Sequence, residues 1–233
     1  MSKKDYYIVE KNVNKILRGE YTNFLDPNTQ KLTCSKLKGI NYHIFYTYKD
    51  SEKNIIYTNK LPQIKLLEII SNEKITHREI MGSLYGLNID SEMFGDIIIT
   101  DSHYYILVMD SIYNYIFNNY HMVGSHYIKL IEREIDSLSS YERKYDEIDL
   151  IVSSLRIDTI ISRLICSSRD NIKNKFSNDE IIVNYELCHK HNYILKENDI
   201  FSIKKYGKYK FIGIIKNTKK DNYLIKINKY VDK

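Results

Sequence analysis

The 233-residue sequence has no tryptophan and no alanine, and only 2 Pro, 8 Gly and 3 Cys. So few Pro and Gly, beside 43% hydrophobic residues, exclude a disordered or collagen-like chain. Cys34, Cys166 and Cys188 are odd in number and widely spaced, which argues against a disulfide framework and for a reduced, cytoplasmic protein. No apolar run is long enough for a membrane span, which needs roughly 18 residues or more. The opening MSKKDYYIVEKN is charged and has no apolar core, so no signal peptide is expected. Also missing are a phosphate-cradling Gly-rich loop, a Gly-x-Ser-x-Gly elbow and a His-Glu-x-x-His metal motif. None of the many carboxylates forms a pair that sequence alone marks as an acid/base couple. No enzyme and no cofactor is therefore expected.

What is present in excess is Lys, Ile, Asn and Tyr, including 22 Tyr. Their codons suit an AT-rich genome, so Tyr and Lys content alone is discounted as a nucleic-acid signal. The distribution of charge survives that discount. Residues 150–233 hold 17 Lys+Arg against 9 Asp+Glu, a net of +8, while residues 1–149 carry a net of −3. A basic third on a slightly acidic body is an electrostatic footprint for a polyanion.

The expected fold is α+β in three small modules, at residues 1–73, 74–149 and 150–233. The first two are α/β units, with an RRM-like α/β plait considered for the first. The third is a helical hairpin with a small β-sheet. In the first, a helix is expected around Asp5–Leu17, a turn at Phe24-Leu25-Asp26-Pro27-Asn28, and a strand at 42–48 paired with 54–58. Pro62 then opens a run whose Ile64, Leu67 and Ile70 spacing predicts a helix. In the second, Thr76-His77-Arg78-Glu79 reads as a capping box for a helix ending at Gly86, a left-handed C-cap. Two strands joined at Asp101-Ser102-His103, a helix at 111–120 and a strand at 126–131 follow. The polar stretch 137–149 marks the boundary to the third.

The third module opens on SLRIDTIISRLICSSRDNIKNKFSNDEIIVN, residues 154–184. Leu155, Ile160, Ile161, Leu164 and Ile165 give one apolar face, and Arg156 and Arg163, seven apart, share a stripe. Ser167 with Asp170 predicts a capping box for a second helix, where Ile172 and Phe176 pair on one side and Arg169 and Lys173 on another. Strands are expected at 181–183, 199–203, 209–215 and 223–227. Arg156, Arg163, Ser168, Arg169, Lys173 and Lys175, then Lys204, Lys205 and Lys208, are candidate RNA contacts: cations and a helix N-terminus suit phosphate. The competing reading of these cations is a solvated polar face. Asp158 reads as structural, a carboxylate placed to orient an arginine. Tyr206, Tyr209 and Phe211 fit base stacking or, in so Tyr-rich a chain, sheet packing. Cys188-His189-Lys190-His191 supplies too few ligands for a metal site.

Leu155-Arg156-Ile157-Asp158, Ser168-Arg169, Ile181-Ile182-Val183-Asn184 and Asn198-Asp199 together resemble the S4-type RNA-binding domain. Asn178-Asp179 and Asn198 stand where that pattern has Gly. Further upstream, Phe24-Leu25-Asp26-Pro27, Thr76-His77-Arg78-Glu79 with Gly82, and Gly95-Asp96-Ile97 resemble the signatures of YlmH-type proteins. Lys205-Tyr206-Gly207-Lys208-Tyr209 and Thr218-Lys219-Lys220 are similar to that family's basic loop and final hairpin. The resemblance implies a bacterial, non-enzymatic protein that holds structured rRNA and tRNA. It further implies binding to the large ribosomal subunit with peptidyl-tRNA in ribosome-associated quality control, and it adds His77 and Arg78 to the RNA candidates. A monomer with no DNA and no membrane partner is expected. The alternatives are an RNA-modifying accessory of pseudouridine synthase or methyltransferase type, and a cell-division adaptor.

Overall fold

A computed structural model describes residues 3–100, 103–218 and 221–231. The chain forms two compact units, which divide between Arg143 and Lys144. Asp101-Ser102 and Lys219-Lys220, the middles of two expected turns, lie outside the described residues.

In the first unit, α1 (Lys3–Leu17) lies where a helix is expected and packs on α2 (Pro27–Lys36). Their shared core holds Val9, Val13, Ile16, Leu25, Leu37 and Ile56. The Asp-Pro pair begins a helix rather than a turn. The Asp26 carboxylate accepts from the N–H groups of Asn28 and Thr29, both at 3.0 Å. Pro27 takes a first-turn position where no amide is needed. Of α2's own residues only Thr33 is fully buried, so there was no apolar stripe to read. β1 (His43–Phe45) and β2 (Ile55–Tyr57) pair antiparallel, His43 opposite Tyr57, as the pattern predicts.

The rest of this unit runs β3 (Ile64–Ser71), α3 (His77–Gly86), β4 (Phe94–Ile99), β5 (Tyr104–Met109), α4 (Asp110–Asn119), β6 (Met122–Val123) and β7 (His126–Arg133). The sheet order is β4-β5-β3-β7-β6, with neighbouring strands antiparallel. Leaving out the short β6, this is a βαββαβ plait. It spans 64–133, rather than lying within 1–73. The expected helix at 64–70 is the sheet's central strand. Both its faces are covered, Leu67 and Ile69 on one and Ile64 and Leu66 on the other, so period-2 alternation vanishes and the run mimics a helix. Because β3 bonds to both β5 and β7, a division at residue 73 falls inside one sheet.

α3 carries the capping box: Glu79 N–H donates to the Thr76 hydroxyl at 3.3 Å, and Thr76 N–H to Glu79 Oε2 at 2.9 Å. Its left-handed residue is not Gly86 but Asn88, at φ +57°. Asparagine tolerates this region because its short polar side chain bonds locally. Helices α3 and α4 cover one face of the sheet through Ile80, Leu84 and Ile116. Phe24, Tyr48 and Ile55 of the N-terminal segment cover part of the other.

In the second unit, β8 (Tyr145–Val152) precedes α5 (Ile157–Leu164), α6 (Arg169–Ser177), β9 (Ile181–Val183), β10 (Glu186–Leu187), β11 (Ile200–Ile203), β12 (Gly207–Asn217) and β13 (Tyr223–Tyr230). The sheet order is β10-β9-β11-β12-β13-β8. α5 and α6 form a helical hairpin whose Ile157, Ile160, Ile161, Ile172 and Phe176 meet Phe201, Phe211, Ile225 and Ile227 in one core. β8 begins within the polar stretch 137–149 that marks the expected module boundary. It is an edge strand bearing Asp146, Glu147 and Asp149, the charged sequence expected of an edge. The strand straddles residue 150, so this unit begins before the expected boundary.

Candidate nucleic-acid interface

The stretch before α5 builds one anchored arginine. Arg156 has extended backbone at the helix N-cap. Its guanidinium donates from Nε to Asp158 Oδ1 at 3.1 Å and from Nη2 to Oδ2 at 2.6 Å. His191 Nδ1 lies 3.3 Å from both Arg156 Nη2 and Asp158 Oδ2. The Thr159 N–H also donates to Asp158 Oδ1, at 2.8 Å. Burial opposes charge on Asp158, yet these partners outweigh it and hold the carboxyl below its ordinary range. Asp158 thus fixes the arginine's direction while 41% of the Arg156 side chain stays exposed.

The hairpin builds a second feature. Between α5, α6 and the sheet edge lies a groove of about 280 Å³, with Ile151 and Val152 on an apolar side and Ser153, Thr159, Ser162, Arg163, Arg169 and Asn222 completing its lining. Arg163, in the last turn of α5, and Arg169, which opens α6, are thereby brought to one concavity. The expected stripe pairing Arg163 with Arg156 is not what forms, because Arg156 precedes the helix and turns to Asp158. The cap of α6 is Ser168, whose hydroxyl accepts from Asn171 N–H at 3.3 Å. It is not Ser167, whose carbonyl takes the Ser162 hydroxyl at 2.6 Å. Asp170, the expected reciprocal partner, instead meets Lys173 at 3.2 Å on an exposed face.

The remaining cations gather around the β11–β12 turn. Lys175 pairs with Glu180 at 2.7 Å and lies over the Tyr206 ring at 5.3 Å. Lys204 and Lys205 are exposed, and Lys205 holds φ +73° in the turn before Gly207 at +116°. Lys208 donates to Tyr185 Oη at 3.1 Å and sits over the Tyr185 and Tyr230 rings. Of the three aromatics considered for stacking, Tyr209 and Phe211 are buried in the sheet and only Tyr206 is exposed. The Cys-His run is dispersed among ordinary partners: Cys188 Sγ on the Lys190 carbonyl, His189 near Asp179, His191 on Asp158. Asp179 and Asn198, which replace glycines of the S4-type pattern, hold φ +55° and +68°. Their backbone therefore adopts the turns those glycines would allow.

His77 and Arg78 belong to the first unit, on the opening turn of α3. The other first-unit motifs act as architecture. A Cβ on Gly95 would stand 2.7 Å from Phe24 Cε1, so only glycine admits that ring. Asp96 accepts from Tyr48 Oη at 2.6 Å and from the N–H groups of Glu52 and Lys53 at 2.8 and 3.2 Å, fixing that loop to the sheet. Lys53 Nζ donates to the carbonyls of Ser91 and Phe94, and burial pushes its pKa down to about 8.

Sequence reasoning missed one cluster in this unit. Glu68, buried on β3, is met at Oε1 by His103 Nδ1 at 2.6 Å and at Oε2 by Arg133 Nε at 2.7 Å. Burial would raise the Glu68 pKa, but these two hydrogen bonds prevail and lower it. Helical spacing places Glu68 on a solvent-accessible turn, whereas β3 buries it at the sheet centre. Recognising a charged residue inside a central strand was the signal available.

These features define an α+β protein whose first unit is a βαββαβ plait and whose second carries a cationic helical hairpin. Residues 59–137 match the family model described as "Putative RNA-binding domain in YlmH". Ribosome-associated protein quality control protein P2 of Bacillus subtilis (strain 168) is 22% identical over 226 residues, covering 91% of this chain and 88% of that protein. The solved structure of cell division protein YlmH from Streptococcus pneumoniae is similar with TM-score 0.50 and 19% identity, over 60% of this chain and 97% of that one. At that identity it speaks for the fold alone. The chain is thus similar to the YlmH-type RNA-binding proteins, over residues 59–137 by that family model and over 91% of its length by the Bacillus relative.

Proposed function

We propose that this protein grips structured rRNA and tRNA through its second unit, as a cytoplasmic, non-enzymatic factor on the large ribosomal subunit. Its task there is ribosome-associated quality control with peptidyl-tRNA bound. The observation that carries the reading is the groove in which Arg163 and Arg169 converge beside the Ser168-capped start of α6. Two guanidinium groups, a helix N-terminus and a row of hydroxyls suit an RNA backbone better than any small neutral ligand. Double-stranded RNA offers side chains little base information in its deep groove, so phosphate spacing and shape are what such a surface reads. The S4-like order of Arg156, Asp158, Ser168 and Arg169 supports the same reading, as does the name of the Bacillus relative. Arg156 and Lys173 stand near Arg163 and Arg169 in the chain, while Lys175, Lys204, Lys205 and Lys208 form a second cationic group around the β11–β12 turn, at the end of β12 away from Asn222; both groups are taken as further RNA contacts. His77 and Arg78 add a contact from the first unit.

Sedimentation of a cell lysate through sucrose at low salt tests this. The protein should travel with large subunits and leave them as salt rises. A pool that stays at the top of the gradient at every salt concentration would sink the ribosomal assignment.

A further inference from the structure

The plait's second face is only partly covered. Phe24, Tyr48, Ile55 and Leu138, with Ile135 and Tyr141, pack with Ile64, Leu66 and Leu107, and Tyr105 lies against this cluster; beyond it His103, Tyr127, Lys129 and Ile70 stand exposed. Alternation along β7 sends Leu130 and Ile128 into the helix-side core, and therefore Tyr127, Lys129, Ile131 and Arg133 to the opposite face. Register places Glu68 beside Tyr105 on one flank and Ile131 on the other, with Ile70 opposite Lys129. Tyr127 is 80% exposed and Ile70 is 39% exposed. Two such side chains on one sheet face are apolar surface left available to a ligand.

Two features give this patch a chemistry. The rings of His103 and Tyr105 lie nearly parallel, with centroids 5.9 Å apart and planes at 22°. Glu68 fixes the His103 ring through Nδ1 and the Arg133 guanidinium through Nε, and both side chains remain about half exposed. The pinned rings need little further ordering to receive a flat ligand. The one buried carboxylate is outnumbered by Lys129 and Arg133, so the patch favours an anion.

We propose that this open part of the sheet is a binding platform for single-stranded RNA. One base stacks on the His103–Tyr105 pair, a second meets Tyr127, and Lys129 and Arg133 hold the intervening phosphates. Aromatic rings with cations on a sheet face are what unpaired bases require, whereas a duplex keeps its base faces stacked inside. The proposal rests on the RNA-binding reading and deepens it. The second unit takes the structured part of an RNA, and the first takes an unpaired segment.

Ultraviolet crosslinking of a labelled single-stranded RNA oligonucleotide to the full chain, with peptides identified by mass spectrometry, tests this together with anisotropy titrations of Tyr127→Ala/Lys129→Ala and His103→Ala. The first pair alters only exposed side chains, so its folding is expected to be unchanged. We expect crosslinks on the peptides holding Tyr105 and Tyr127, and a loss of affinity of about tenfold for each stacking ring removed. Crosslinks confined to residues 144–231 would overturn the platform and leave the second-unit reading intact. Crosslinks confined to the sheet would support the platform and count against that reading. Unchanged oligonucleotide affinity in both variants would also overturn the platform.

Discussion

The Asp158 carboxylate holds the Arg156 guanidinium in a two-pronged ion pair, and it does so from a buried position two residues away. Asp158→Ala would leave the Thr159 N–H without its acceptor and Arg156 without its anchor. A fully buried pair broken in this way costs about 3–5 kcal/mol. Here 41% of the Arg156 side chain is exposed and water takes over part of its solvation. The expected loss in urea unfolding is therefore smaller, about 1–2 kcal/mol. RNA affinity should fall as well, because an unanchored arginine must be ordered on binding.

The same pair has a pH signature. The folded-state pKa of Asp158 lies below its ordinary value of 3.8, so its stabilisation is complete above that value. It is lost as pH falls through the lowered one. Thermal melts below pH 4 should therefore decline more steeply for the wild type than for Asp158→Asn, which has no charge to lose.

Lys53 runs in the opposite direction. Burial lowers its pKa from 10.5 to about 8, so between those values the unfolded chain binds more protons than the folded one. Stability contributed by this residue rises with pH across that window. Lys53→Met should flatten the stability profile between about pH 8 and 10.5 relative to wild type. A parallel profile for the two proteins would show that the amine is solvated.

Gly95→Ala inserts a methyl group 2.7 Å from Phe24 Cε1 and 3.1 Å from Leu107 Cβ. Overpacking of this kind costs about 1–3 kcal/mol. Phe24→Leu in the same chain should recover part of the lost melting temperature. If the double variant is as unstable as the sum of the two singles, the clash is not the cause.

Sequence reasoning succeeded where a local rule acts alone. Thr76 and Glu79 form their capping box because the two partners are near neighbours in the chain, and the β1–β2 pairing follows from two short β-rich runs in register. It failed where tertiary context decides. Ile64 to Ile70 has helical spacing only because both faces of β3 are buried, and the start of β8 reads as a polar module boundary because an edge strand shows one weak apolar face. Within the candidate interface the residue types were legible but their grouping was not. Arg163 joins Arg169 through the hairpin's turn at Ser167-Ser168, and no linear pattern places Glu68, His103 and Arg133 together.

Salt dependence of RNA binding tests the second unit most directly. Affinity of the full chain for a structured RNA, such as tRNA or a large-subunit rRNA fragment, would be titrated across potassium chloride concentrations for wild type and for Arg163→Ala/Arg169→Ala. Every phosphate that no longer meets an arginine should lower the slope of log affinity against log salt by roughly 0.7–0.9, so the variant should bind more weakly with a slope reduced by about 1.5. Equal affinity and equal slope in the two proteins would contradict the claim that this hairpin groove grips the RNA backbone.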